Sequence, residues 1–146
     1  MNHAKIITLD QLPLFAVAVS KKLKQGDVVS LVGDIGSGKT SFMFYLMRAL
    51  GLKDMGLFAS PTFTIINTYP LRSLTIYHVD LYRLNRFEEI EALDILSCFG
   101  EKNTMTFVEW GDKFTEMEGL YTKKIFLEHV PDHPDQRMAK CEGFLD

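Results

Sequence analysis

Apolar residues Leu12, Phe15, Ala16, Val19 and Leu23 recur three and four positions apart, the period of an amphipathic helix, and Gly26 closes the run. The stretch "TLDQLPLFAVAVSKKLKQG" therefore predicts a first helix. Two starts compete. Thr8 with Gln11 fits a capping box but would bury Pro13 too deep in the helix. Asp10 as cap puts Pro13 in the first turn, where its missing N–H does no harm, so Asp10 is the expected start. "DVVSLVG" is a continuous apolar run, as in a strand covered on both faces of a parallel sheet. Lys39 to Leu50 reads as a helix that is apolar nearly all round, with Gly51 as its C′ residue.

"TFTIINTY" and "LTIYHVD" predict two strands separated only by "PLRS", too short for a parallel crossover, hence a hairpin. "NRFEEIEALDILSCFG" predicts a helix capped by Asn85 with Glu88 three residues on. "TMTFVEW" is another buried strand, and "KKIFLEHV" with "RMAKCEGF" predicts a closing antiparallel pair. Helices and strands alternate through most of the chain. The expectation is a single α/β domain over residues 1–146, with a mainly parallel sheet and antiparallel additions.

Composition narrows the function classes. Sixteen basic and nineteen acidic residues leave a net charge of −3, which argues against nucleic-acid binding by bulk charge. Cys98 and Cys141 stand far apart and outside any CxxC spacing, so they read as reduced thiols of a cytosolic protein. The start "MNHAKIITLD" has no apolar signal region, and no apolar run approaches a membrane span; a cytoplasmic location is expected.

Between the first strand and the second helix lies Gly33-Asp34-Ile35-Gly36-Ser37-Gly38-Lys39-Thr40, the pattern G-x-x-x-x-G-K-[ST] of a phosphate-binding loop. Its glycines let successive N–H groups turn toward phosphate oxygens, and the following helix aims its positive end at the same place. Lys39 is the candidate for the β- and γ-phosphates, expected to face solvent without nucleotide, and the Thr40 hydroxyl is the candidate for Mg²⁺. The buried strand before and the helix after are the context the motif requires, giving a three-layer P-loop NTPase-like fold. Such a loop works with an acid at the end of another apolar strand. "LTIYHVD" ends in Asp80 and "MTFVE" in Glu109, and either could hold the metal while the other orients water. In "SPTFT", Thr62 and Thr64 share a face, and a threonine entering the site here is like a switch that senses the γ-phosphate. His78 reads as a packed strand histidine, because no other His, Cys or Asp stands at metal spacing.

Four segments, "GDIGSGKTSF", "SPTFTIINTY", "YHVDLYRL" and "FVEWGD", together resemble the bacterial TsaE (YjeE) family, from the first helix to Trp110 and more faintly beyond. That family is the ATPase subunit of the machinery that makes threonylcarbamoyladenosine next to the tRNA anticodon. The resemblance implies ATP bound by Gly33, Asp34, Gly36, Ser37, Gly38, Lys39, Thr40 and Ser41. It implies Mg²⁺ at Thr40 and Glu109, Asp80 acting in hydrolysis with Lys39, and Thr62 in a switch-like segment. It also implies nucleotide contacts near Thr8 and Asp10. It implies a nucleotide contact at Arg137 as well, although this chain has Gln136-Arg137 where the family tends to carry a Gly-Arg pair, a departure that weighs against that contact. The implied partner is the TsaB–TsaD complex, with tRNA reached only through it and no membrane. Trp110 and "DLYRLNR", with Tyr82, Arg83 and Arg86, are the candidate contact residues. Two other classes stay open on the residues alone: a small P-loop kinase, which would need an acceptor pocket and an Arg-bearing lid, and a nucleotide-gated binding module with little turnover.

Overall fold

In the computed structural model, which describes residues 2–144, four parallel strands form the centre of a seven-stranded sheet. In chain order the strands are β1 (Lys5–Thr8), β2 (Val28–Val32), β3 (Ile66–Pro70), β4 (Thr75–Asp80), β5 (Thr104–Glu109), β6 (Lys123–Val130) and β7 (His133–Glu142). The α-helices are α1 (Leu12–Ser20), α2 (Lys39–Leu50) and α3 (Phe87–Ala92). Across the sheet the order is β1-β7-β6-β2-β5-β4-β3. The β6–β2, β2–β5 and β5–β4 pairs are parallel; β1–β7, β7–β6 and β4–β3 are antiparallel.

Both faces of the centre are covered, which is why β2 and β5 are buried along almost their whole length. On one face Phe15, Ala16 and Val19 of α1 and Phe42, Leu46 and Met47 of α2 pack over Val29, Leu31, Ile76, Phe107 and Ile125. On the other, Ile90 of α3 joins Leu81, Ile95, Phe114 and Met117 over Val79 and Val108. Fully buried side chains such as Phe42 and Phe107 contribute about 1.5–3 kcal/mol each. At the N-terminal end of β2, Lys123 Nζ donates to both Asp27 carboxylate oxygens at 2.8 Å, tying β6 to β2.

Four local expectations are corrected. β1 was not anticipated. Thr8 ends it and caps a 3-10 turn over Leu9–Gln11, with Gln11 Oε1 accepting the Thr8 N–H at 2.9 Å. The α-helix starts only at Leu12, so Pro13 falls in its first turn without Asp10 as cap, and Asp10 lies exposed within the 3-10 turn. "TFT" is turn rather than strand: β3 begins at Ile66, after Ile65 takes a left-handed φ of 69°. The helix foreseen from Asn85 is capped one residue later, at Arg86, with Glu89 Oε1 accepting the N–H groups of Asn85 and Arg86 at 3.0 and 2.9 Å. It stops at Ala92, because Asp94 adopts a left-handed φ of 55° before a separate 3-10 turn over Ile95–Cys98.

Candidate functional site

Residues 33–38 carry the chain from the end of β2 to the start of α2, across the edge where the parallel strands β4 and β5 also end. Ligands of open α/β sheets bind at this carboxyl edge. Gly33 is glycine for a steric reason: a Cβ there would collide with the Leu127 carbonyl and sit 2.5 Å from Ser37 Oγ. Gly38 leads into α2 at φ 105°, a conformation other residues rarely adopt.

The two acids stand beside one another. Asp80 and Glu109 are register partners at the ends of β4 and β5, and both are buried. Asp80 Oδ1 accepts the Tyr82 N–H at 2.9 Å, and its Oδ2 accepts the Thr62 hydroxyl at 3.0 Å. Thr62 Oγ1 also lies 2.9 Å from Ser60 Oγ. Glu109 Oε2 lies 2.6 Å from His78 Nε2. The His78 ring is fully buried, stacks on Phe58 and leaves Nδ1 without a hydrogen-bond partner among the described residues. The ring thus donates from Nε2 and fixes the orientation of Glu109. His78 is packed, as its sequence context implied, but it also positions a site acid. The signal was the alternation of His78 and Asp80 along one strand, which puts both on one face.

The two acids and Thr62 border a cavity of about 400 Å³. Gly36, Gly38, Lys39, Thr40 and Ser41 form one wall and Thr62, Asp80 and Glu109 another, with Tyr82 and Trp110 at the rim. The donors that Thr40, Asp80 and Glu109 offer are all oxygen, the chemistry that suits a hard cation.

Lys39 does not face solvent, contrary to expectation. It is 6 % exposed, donates from Nζ to the Gly33 carbonyl, and holds its ammonium 3.8 Å from the centroid of the Trp110 ring. Burial lowers its pKa below the ordinary lysine value, against the opposing pull of Glu109, Asp112, Asp80 and Asp34. Trp110 sits at a left-handed φ of 63° and is tilted against Tyr82, with ring centroids 5.1 Å apart. It is half-buried, while Tyr82 is 45 % exposed.

Six candidates do not line this cavity: Gly33, Asp34 and Ser37 within the loop itself, and Arg137, Thr8 and Asp10. Arg137 is buried on β7 with its guanidinium against the outside of the glycine loop. Thr8 pairs with Gln136 on the adjoining strand, and Asp10 lies just beyond it. Cys98 and Cys141 are buried free thiols, each pushed up to about 11 by burial, far from reactive thiolates.

A strand, a glycine loop and a helix set into a centrally parallel, doubly covered sheet define the class: an α/β domain of the P-loop NTPase-like kind. The chain belongs to the TsaE family, since the family profile "Threonylcarbamoyl adenosine biosynthesis protein TsaE" matches residues 7–139. A "tRNA threonylcarbamoyladenosine biosynthesis protein TsaE" of Treponema pallidum is 34% identical over 119 residues, 81% of this chain and 84% of the relative. The protein so named from Synechocystis is 38% identical over 101 residues, 68% of this chain and 63% of the relative. That from Borreliella burgdorferi is 39% identical over 85 residues, 58% of this chain and 60% of the relative. With these last two the match spans about three-fifths of the relative's length. Among solved structures, Bacillus subtilus YdiB superposes with a TM-score of 0.64 at 26% identity, covering 99% of this chain and 87% of that one.

Proposed function

We propose that this protein binds and hydrolyses ATP with Mg²⁺ as a subunit of the machinery that makes threonylcarbamoyladenosine in tRNA, acting with a TsaB–TsaD complex. The observation that carries this reading is the convergence of Lys39, Thr40, Thr62, Asp80 and Glu109 on one cavity beside a loop of phosphate-binding sequence. In this reading Lys39 exchanges the Gly33 carbonyl and the indole face for phosphate oxygens. Thr40 and Glu109 would hold Mg²⁺, which takes one or two carboxylates and completes its shell with waters and phosphates. When bound, the metal supplies charge neutralisation at the phosphates. Asp80, oriented by Thr62 and the Tyr82 N–H, aligns the attacking water and accepts its proton. Thr62 comes from a turn and contacts Asp80 by one side-chain bond, so a partner that orders this turn completes the catalytic geometry.

A chain of net charge −3 gains little from counterion release, so tRNA is met through the complex, in the cytoplasm. Among the described residues no helix is long and apolar enough to cross a membrane. The test is the ATPase rate of the purified chain with and without TsaB–TsaD, beside tRNA gel shifts of the chain alone. The expected result is slow turnover alone, acceleration by the complex, loss of both in Lys39→Ala, and no tight tRNA binding. A rate indifferent to the complex, or unchanged in Lys39→Ala, overturns the reading.

A further inference from the structure

Arg137 stands on β7, beside β6, which in turn borders β2. Its backbone pairs with Ile7 of β1 and His129 of β6, so its position is fixed on both sides. Its side chain reaches the glycine loop from outside the cavity. Nε donates to the Ser37 carbonyl at 2.9 Å and Nη2 to the Gly36 carbonyl at 3.3 Å. Nη1 donates to the carbonyls of Pro134 and Gln136 at 2.9 and 2.7 Å. Four of its five guanidinium N–H groups are thereby taken up by backbone oxygens.

The stereochemistry of the peptide gives these bonds a consequence. The peptide bonds of the described residues are trans, so the carbonyl of one residue and the N–H of the next point to opposite sides. Holding the Ser37 carbonyl outward turns the Gly38 N–H the other way, toward the cavity that Gly38 lines. Ser37's own N–H is already taken by the Asp34 carbonyl at 3.1 Å. Gly36 and Gly38 both take positive φ, so this loop has much conformational freedom to lose, and a buried guanidinium on two consecutive carbonyls restricts it.

We infer that Arg137 is a positioning residue that presets the glycine loop through the carbonyls of Gly36 and Ser37, and not a contact to nucleotide. The loop half of this inference stands alone; its effect on binding rests on the ATP reading above. The test is hydrogen exchange of the nucleotide-free chain in wild type, Arg137→Met and Arg137→Lys. The reporting amides are Ser37, bonded to Asp34, and Phe42, bonded to the Gly38 carbonyl at 2.8 Å. Exchange there should quicken at least about tenfold in Arg137→Met and by less in Arg137→Lys, which keeps the charge but not the fork, while β2 and β5 amides stay protected. Affinities for ADP and for pyrophosphate should fall by the same factor, because a preset loop serves the phosphates alone. Unchanged exchange at Ser37 and Phe42 in both variants overturns the inference. So does a loss of ADP affinity that spares pyrophosphate, which would make Arg137 a contact to the nucleoside. Should Arg137→Met fail to fold, Arg137→Lys carries both readouts. Should wild type bind no ADP, the ATP reading fails and the exchange result still decides the brace.

Discussion

Replacing His78 by leucine tests whether the site acid Glu109 is held in place by a buried partner. The substitution puts an apolar side chain of similar bulk in a fully buried place and deletes the 2.6 Å contact to a carboxylate that is 3 % exposed. Hydrogen bonds to charged groups are worth about 1.5–3 kcal/mol, and stripping one partner leaves the other to carry its desolvation cost. A loss of about 2 kcal/mol is expected, a fall in Tm of roughly 4–8 °C for a chain of this length. Glu109→Leu alone strands the imidazole and should cost about 1–3 kcal/mol. The double variant removes both polar groups together, so it should be more stable than the sum of the singles implies by at least about 1 kcal/mol. Urea denaturation of the four nucleotide-free proteins, followed by circular dichroism, measures this coupling. Additivity within about 0.5 kcal/mol would refute the claim that His78 holds Glu109.

Further outcomes are expected elsewhere in the site. Gly33→Ala should destabilise more than Gly36→Ala in thermal melts: the first drives a Cβ into a backbone carbonyl, while the second meets nothing within 4 Å and bears only the strain of φ 77°, about 1–2 kcal/mol. Because burial lowers the Lys39 pKa, the folded chain binds fewer protons than the unfolded one between that lowered value and 10.5. Wild type should therefore gain stability relative to Lys39→Met as pH rises toward 10.5, read from urea midpoints; a difference that is flat or narrows in the other direction counts against the buried ammonium. Glu109→Ala should weaken Mg²⁺-dependent nucleotide binding more than Asp80→Ala, whose main effect should be on turnover. Calorimetric Mg²⁺ titrations of both decide the assignment, and the reverse order would mean the roles are exchanged.

The parts of this molecule legible in its sequence are those whose signal is local. The β2–loop–α2 unit carries its motif and both flanking elements within a short stretch, and Asp80 and Glu109 each close an apolar run. β1 was hidden because its four residues, "KIIT", are strand only by virtue of pairing with β7. The Thr8 box and Pro13 seemed to conflict only because a 3-10 turn between strand and helix has no clear sequence signature. The Arg137 contacts to Gly36 and Ser37 join residues about a hundred positions apart, so they depend on the strand order and on no motif. The retreat of Lys39 under Trp110 needed the left-handed turn at Trp110, where a bulky residue gives no hint of positive φ.

Because Asp80 and Glu109 occupy one row of the β4–β5 ladder, the spacing of their backbones is set by sheet geometry rather than by any loop. The β5 residues around Glu109 are buried throughout, and Glu109 is anchored further by His78. On the proposed ATPase reading, a partner that alters turnover would have no leverage on this pair short of parting two central strands. On that reading its leverage would lie on what approaches the pair: Thr62, which contacts Asp80 from an irregular turn, and Lys39, which would leave its indole shelf to meet phosphate. The acids behave as a fixed gauge, and control belongs to the groups that come up to it.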